Sequence, residues 1–120
     1  MAIVGIGMDA IELLRVKSAQ EKNPRFCERI LTTAELQIFH SLIGGRQIEF
    51  LAGRFAAKEA YSKAYGSGIG SQLSFLDIEV LWDEKGKPIV TKSPFEGVVH
   101  ISLSHTKTTA YAYVIFEQVV

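Results

Sequence analysis

The stretch from Phe50 to Ala64 constrains this chain most, because it predicts one helix that carries charges among unusually small neighbours. A helix turns about 100° per residue, and one sector of about 60° therefore holds Ala52, Ala56, Glu59 and Lys63. The pattern predicts that Glu59 and Lys63 stand beside a row of methyl groups, where small side chains leave room for a ligand. An ordinary solvated helix is the alternative, since a Glu and a Lys four residues apart stabilise such a helix by about 0.2–0.5 kcal/mol.

The first predicted strand, from Ile3 to Ile11, adds a second carboxylate. Strand alternation predicts that one face carries Ile3, Gly5, Gly7, Asp9 and Ile11. Glycine weakens a strand unless something approaches the backbone closely or the strand must bend. Asp9 is therefore a candidate metal ligand with space beside it, and a glycine bulge with a turn-forming Asp is the alternative.

Periodicity along the rest of the chain predicts helices followed by hairpins. Thr32 and Glu35 have the spacing of a capping box, and Gly66 is a natural helix stop. The predicted helices cover residues 12–21, short segments after Pro24, 32–43 and 46–65. From residue 74 the period changes to two, and two antiparallel hairpins follow. We expect one α+β domain over residues 1–120, with a small antiparallel sheet on one side of the long helix.

Composition limits the partners and the compartment. Thirteen Lys and Arg residues cancel thirteen Asp and Glu residues, so bulk attraction to nucleic acid or to a membrane surface is not expected. No run of about 18 apolar residues is present to span a bilayer. The lone Cys27 is expected to be a small buried apolar residue. No secretory leader precedes the first strand, so we expect a cytoplasmic protein.

Four segments together carry a family resemblance. They are GIGMD at residues 5–9, RFCERIL at 25–31, GRFAAKEA at 53–60 and SHT at 104–106. In these segments the chain resembles the bacterial holo-acyl-carrier-protein synthases, which are small 4'-phosphopantetheinyl transferases, and the resemblance runs in order from about residue 3 to residue 117. It implies the 4'-phosphopantetheinyl transferase fold. It also implies transfer of the phosphopantetheine arm of coenzyme A to a serine of apo-acyl-carrier protein for fatty acid biosynthesis, with release of adenosine 3',5'-bisphosphate.

The resemblance implies a catalytic set of three residues. The family holds a magnesium ion on the positions that match Asp9 and Glu59, and Mg²⁺ is suited to two carboxylates plus water and substrate oxygens. Glu59 or a metal-bound water is expected to take the proton from the carrier serine, which attacks the β-phosphorus of coenzyme A. Lys63 is expected to stabilise the departing bisphosphate.

Coenzyme A is expected to contact a larger set of residues. Guanidinium groups suit phosphate oxygens, although solvated helix charge is the alternative for Arg46, Arg54 and Lys58. By resemblance, the expected contacts are Arg46, Arg54, Lys58, Lys63, Gly66, Pro88, His105 and Thr106. Many family members carry a basic residue where this chain has Ser71, which leaves a phosphate contact from that loop open.

Positive charge in and after the first helix predicts an acidic protein partner. The basic residues there are Arg15, Lys17, Lys22 and Arg25. The matching helix of the family docks acyl carrier proteins, with Arg15, Lys22 and Arg25 as the nearest positional matches. A solvated face is the alternative. The family also forms homotrimers with active sites between protomers. The terminal strand offers an apolar set for an interface, although an ordinary monomer core would have the same pattern: Tyr111, Tyr113, Ile115 and Phe116.

Two other functions use the same charges. An oligomeric module that holds a nucleotide or an acidic protein predicts binding without metal-dependent turnover. A magnesium-dependent phosphohydrolase would transfer the phosphoryl group to water, and it would not require the basic first helix.

Overall fold

The structure, a computed structural model, describes residues 1–119. Its elements are β1 (Ala2–Glu12), α1 (Leu13–Lys22), α2 (Phe26–Ile30), α3 (Thr33–Ser41), α4 (Gly45–Tyr65), a 3₁₀ turn (Phe75–Asp77), β2 (Glu79–Trp82), β3 (Pro88–Lys92), β4 (Val98–His105) and β5 (Thr109–Gln118). An antiparallel sheet has the order β1-β5-β4, and β2 pairs with β3 in a separate hairpin. The predicted α+β class is confirmed.

Local signals set the ends of the helices as expected. The Thr32 hydroxyl accepts a hydrogen bond from the Glu35 amide at 3.4 Å, and the Thr32 amide donates to the Glu35 carboxylate at 2.8 Å, which completes the capping box of α3. Helix α4 ends where Gly66 adopts a φ of +97°, a conformation that glycine reaches without a steric penalty.

The long helix α4 packs directly on strand β1 through small residues. A Cβ atom at Gly7 would overlap the carbonyl oxygen of Ala60, and one at Gly5 would lie 2.6 Å from the carbonyl oxygen of Ala64. The two glycines therefore allow backbone contact between strand and helix. A register shift after Ile3 turns that side chain outward, so it does not share the glycine face as the alternation predicted.

The methyl groups of α4 belong to the core. Ala52 and Ala56 are fully buried, and they lie in two hydrophobic clusters that pack against different parts of the helix. The prediction that this row leaves room for a ligand is therefore wrong, because neighbouring strands and helices fill the space. Cys27 is buried in one cluster, as expected for a small apolar residue. Within residues 1–119 no helix is long and apolar enough to cross a membrane.

The sheet face turned away from α4 is apolar and open. Ile6 lies opposite Ile115, and Met8 lies opposite Tyr113. Ile6 is 68% exposed and Tyr113 is 51% exposed. Phe116 points the other way into the core, so the expectation that it serves an interface is wrong: alternation along β5 puts it on the buried face.

Candidate functional site

Two carboxylates and a lysine meet where β1 crosses the second half of α4. The Lys63 ammonium lies 3.0 Å from Asp9 Oδ1 and donates a second hydrogen bond to the Met8 carbonyl at 3.0 Å. Burial raises the pKa of Glu59, the negative charge of Asp9 raises it further, and Lys63 opposes both effects. The structure thus brings the three predicted catalytic residues together.

This cluster has the chemistry of a magnesium site. Asp9 and Glu59 supply hard oxygen ligands, and their mutual repulsion is relieved by any cation placed between them. Over residues 1–119 no group of three or more His, Cys, Asp and Glu side chains offers a richer set of ligands. Two carboxylates leave coordination positions for water and phosphate oxygens, which is typical of Mg²⁺ bound with a substrate.

A separate pocket of about 300 Å³ lies between the first half of α4, the β2–β3 hairpin and the ends of β4 and β5. Its walls include Arg46, Phe50, Arg54, Trp82, Pro88 and His105. Four of the residues predicted to contact coenzyme A, from α4, β3 and β4, therefore line one cavity. The pocket combines cationic groups with aromatic and aliphatic surface, as a nucleotide requires.

Arg54 is the most constrained cation of this pocket. Its side chain is buried, its Nε donates to the Val80 carbonyl at 3.1 Å, and its Nη2 has no hydrogen-bond partner among the described residues. Burial lowers the pKa of Arg54 to about 10, an effect that the Glu35 charge opposes. The guanidinium thus stays charged near neutral pH, and its unpaired Nη2 favours binding of an anion in the pocket.

Aromatic rings hold the Arg54 guanidinium in place. Its Cζ lies 4.2 Å from the ring centroid of Phe50 and 4.7 Å from that of Trp82. Sequence reasoning missed Trp82 as a pocket residue. Only its position at the end of β2, at the start of a hairpin turn, pointed to a rim position.

The carboxylate cluster and the pocket lie on different sides of α4. Gly53 lines the pocket and Glu59 follows six residues later, which places the two about 120° apart around the helix axis and about 9 Å apart along it. Within one chain the pocket and the acidic cluster therefore do not face each other.

Lys58 lies away from both, in the protein interior. Its Nζ lies 2.6 Å from Glu35 Oε1 and donates to the Ile30 carbonyl at 2.7 Å, and both charged side chains are fully buried. Burial lowers the pKa of Lys58, while Glu35 opposes the effect. The prediction that Lys58 contacts a phosphate of coenzyme A is wrong, because its ammonium group is enclosed and already paired.

The remaining predicted residues occupy exposed positions. Gly66 and Ser71 lie in the loop after α4, outside the pocket, and Thr106 lies in the β4–β5 turn, where its hydroxyl accepts hydrogen bonds from the turn amides. Arg15 and Lys22 line a shallow surface depression on α1. Arg25 is exposed at the α1–α2 turn, 3.5 Å from Glu28. Arg15 and Lys22 thus share one surface depression, and Arg25 is exposed at the turn that follows α1.

The sequence of this chain is similar to proteins of one known family. The family model of the 4'-phosphopantetheinyl transferase superfamily matches residues 5–116. The holo-[acyl-carrier-protein] synthase of Streptococcus mutans is 55% identical over 116 residues, which cover 97% of each chain. That of Listeria innocua is 56% identical over 117 residues, which cover 97% of this chain and 99% of the relative.

The fold of this chain is also similar to solved structures of the same family. A holo-(acyl-carrier-protein) synthase from Bacillus anthracis, crystallised in complex with CoA (3',5'-ADP), superimposes with a TM-score of 0.91 at 54% identity and covers 98% of both chains. The Helicobacter pylori holo-[acyl-carrier-protein] synthase, in complex with coenzyme A, gives a TM-score of 0.83 at 32% identity, over 93% of this chain and 99% of that one.

Proposed function

The chain belongs to the 4'-phosphopantetheinyl transferase superfamily, and from this premise we propose that it transfers the 4'-phosphopantetheine group of coenzyme A to a serine of apo-acyl-carrier protein, releasing adenosine 3',5'-bisphosphate. The observation that carries the proposal is the near full-length match to holo-acyl-carrier-protein synthases. The chain also supplies a carboxylate pair and a cationic nucleotide pocket, which are the two parts the reaction needs.

The proposed reaction uses Glu59 and Lys63 directly. Glu59 accepts the proton of the carrier serine as the serine oxygen attacks the β-phosphorus. The bond from that phosphorus to the oxygen of the 5'-phosphate breaks, and Lys63 stabilises the charge that develops on the departing bisphosphate. Asp9 and Glu59 would hold Mg²⁺, which supplies charge neutralisation at the pyrophosphate when bound.

Coenzyme A binding is divided between the pocket and the cluster in this proposal. Arg46, Arg54, Pro88 and His105 line the nucleotide pocket. Lys63 belongs to the carboxylate cluster, and Gly66 and Thr106 stay proposed contacts although they do not line the pocket. Lys58 is excluded because it is enclosed.

A homotrimer with active sites between protomers would allow the pocket of one copy and the carboxylate cluster of another to form one site. Pocket and cluster lie on different sides of α4, so a neighbouring copy can bring its pocket to the Asp9 cluster of the first. The open apolar sheet face around Ile6 and Tyr113 is suited to contact with another copy.

Complementation tests this assembly. Asp9→Ala removes the cluster and His105→Ala removes a pocket wall, each from its own protomer. If the site is shared, mixed oligomers of the two variants regain turnover that neither variant has alone. Mixed oligomers that stay inactive, while each variant keeps the native mass by light scattering, would overturn the shared site.

The proposed partner and compartment follow from the reaction. The basic region of Arg15, Lys22 and Arg25 suits an acidic acyl carrier protein, and its exposure leaves it free for docking. We propose that residues 1–120 act as one domain in the cytoplasm, in fatty acid biosynthesis.

The test of function is the intact mass of an apo-acyl-carrier protein after incubation with this protein, coenzyme A and Mg²⁺, with an EDTA control. A mass gain equal to phosphopantetheine is expected, and EDTA abolishes it. Binding without a mass gain on several carriers would favour the binding module. Cleavage of the coenzyme A pyrophosphate with an unmodified carrier would favour the hydrolase.

A further inference from the structure

Trp82 is the only tryptophan of the chain, and it lies half open at the rim of the nucleotide pocket. The indole is 43% exposed, whereas Phe50, behind it in the same pocket, is 5% exposed. Among the pocket residues Trp82 therefore offers the large aromatic surface that a ligand can still cover.

We propose that Trp82 is a specificity-determining residue that packs against the purine base of coenzyme A. The inference rests on the proposed function, because it assigns a contact within the coenzyme A pocket. It adds a residue and a kind of recognition that the predicted contacts, which serve mainly phosphates, do not contain.

The indole is braced before a ligand arrives. Its ring meets Phe50 edge to face, with centroids 5.6 Å apart and planes at 63°. The Arg54 guanidinium lies over the ring with Cζ 4.7 Å from the centroid. A ring held in this way loses little rotamer freedom when a base packs on it, so more of the contact energy remains as affinity.

The neighbourhood of Trp82 also selects the class of ligand. The unpaired Nη2 of the buried Arg54 favours an anion, and the exposed indole beside it favours a flat apolar group. A free phosphate satisfies only the first, and an apolar molecule satisfies only the second. A base carrying phosphates satisfies both, and a purine offers more stacking surface than a pyrimidine.

Intrinsic fluorescence reports on this contact without a label, because every tryptophan photon comes from Trp82. The native protein is titrated with adenosine 3',5'-bisphosphate, with uridine 3',5'-bisphosphate and with inorganic pyrophosphate. The first two carry the same phosphates on different bases. We expect strong quenching and tight binding with the adenosine compound, weaker binding with the uridine compound, and little quenching with pyrophosphate. Equal quenching by all three would overturn base contact.

Substitution then separates base recognition from folding. In Trp82→Ala, calorimetry is expected to show the affinity for adenosine 3',5'-bisphosphate reduced about tenfold, with the adenosine preference over uridine nearly abolished. In Trp82→Ala the KM for coenzyme A should also rise far more than kcat falls. Trp82→Phe is expected to restore part of the preference for adenosine. An unchanged preference in Trp82→Ala would refute the proposal.

A matched control is Leu76→Ala, which removes a similarly exposed apolar side chain, 44% exposed, outside the pocket. It should leave the base preference intact, and a loss of preference there would contradict the assignment to Trp82. The two proposals fail separately: an unmodified carrier with base-selective quenching defeats the transferase and leaves the Trp82 contact standing. Carrier modification without base selectivity defeats only the Trp82 contact.

Discussion

Helix α4 makes two lysine–carboxylate pairs five residues apart, and they differ in almost every other respect. Lys58 meets Glu35 at 2.6 Å with both side chains fully buried. Lys63 meets Asp9 at 3.0 Å, with Lys63 52% exposed and Asp9 16% exposed. The same two functional groups, on the same helix, are thus placed in the interior in one case and at the surface in the other.

The difference lies in what surrounds each pair. Both side chains of the buried pair make further hydrogen bonds: Lys58 donates to the Ile30 carbonyl, and the carboxylate of Glu35 accepts from the amides of Thr32 and Val80. Such a closed network specifies how α3, α4 and β2 pack.

The open pair is surrounded by an excess of negative charge. Two carboxylates, Asp9 and Glu59, share the one ammonium group of Lys63. Burial and the charge of Asp9 raise the pKa of Glu59, and Lys63 opposes both effects. Groups kept in an unfavourable electrostatic state at a cleft indicate a site for chemistry or for a cation. Residual unbalanced charge therefore distinguishes the pair at the candidate site from the structural pair.

The largest expected effect is the loss of turnover when a carboxylate of the exposed cluster is removed. Asp9→Ala and Glu59→Ala remove half-buried charges that repel each other, so the fold should persist while the rate of carrier modification falls by about a hundredfold or more. Circular dichroism and the mass assay measure the two properties. A near-native rate in either variant would show that the carboxylate it lacks has no role in the reaction.

The reverse is expected at the buried pair. Lys58→Met leaves the Glu35 charge enclosed without its partner, and the free energy of unfolding should fall by about 3–5 kcal/mol. The double variant Lys58→Met with Glu35→Leu should recover much of the loss. Lys63→Met is the control, with a cost below about 1 kcal/mol in stability. A small effect at Lys58 would show that the network is not structural.

A smaller loss of stability is expected when the helix is pushed from the strand. Gly7→Ala introduces a methyl group against the Ala60 carbonyl, which should cost about 1–3 kcal/mol and reduce turnover by moving Glu59 away from Asp9. Gly45→Ala is the matched control, since open space surrounds that position. Unchanged turnover in Gly7→Ala would show that the cluster tolerates displacement.

The smallest expected effect is on the pH dependence of stability, and it concerns Glu79, which lies next to the buried network. A hydrogen bond from Thr32 lowers the pKa of Glu79 below its ordinary value of 4.5, and burial opposes the effect. Its contribution to stability is therefore complete above about pH 4.5 and is lost as the pH falls through the folded-state pKa. Glu79→Gln should lose less than about 1 kcal/mol near neutral pH and show a flatter acid limb in urea unfolding. If the stability of Glu79→Gln fell with acid pH as steeply as that of the native protein, Glu79 would not contribute to the pH dependence of stability.

Sequence reasoning predicted what local periodicity controls. Alternation in β1 and the repeat of α4 indicated Asp9 and Glu59 as two separate candidates, and only the family resemblance implied that they act together. The capping box and Gly66 gave two helix ends. It mistook the role of Lys58, because the partner Glu35 lies 23 residues away and helix geometry carries no record of it. Trp82 was missed for the same reason: its contacts with Phe50 and Arg54 join a hairpin to a distant helix.

The contact of Gly5 and Gly7 with α4 has a genetic consequence. The opposing atoms are main-chain carbonyl oxygens, which no substitution on the helix can remove. A larger residue at either glycine therefore has no simple suppressor at Ala60 or Ala64, and selection for revertants should return the glycine itself or shift the whole helix. We therefore expect these two positions to be among the least exchangeable in the chain, although glycine has no side chain that could take part in a reaction.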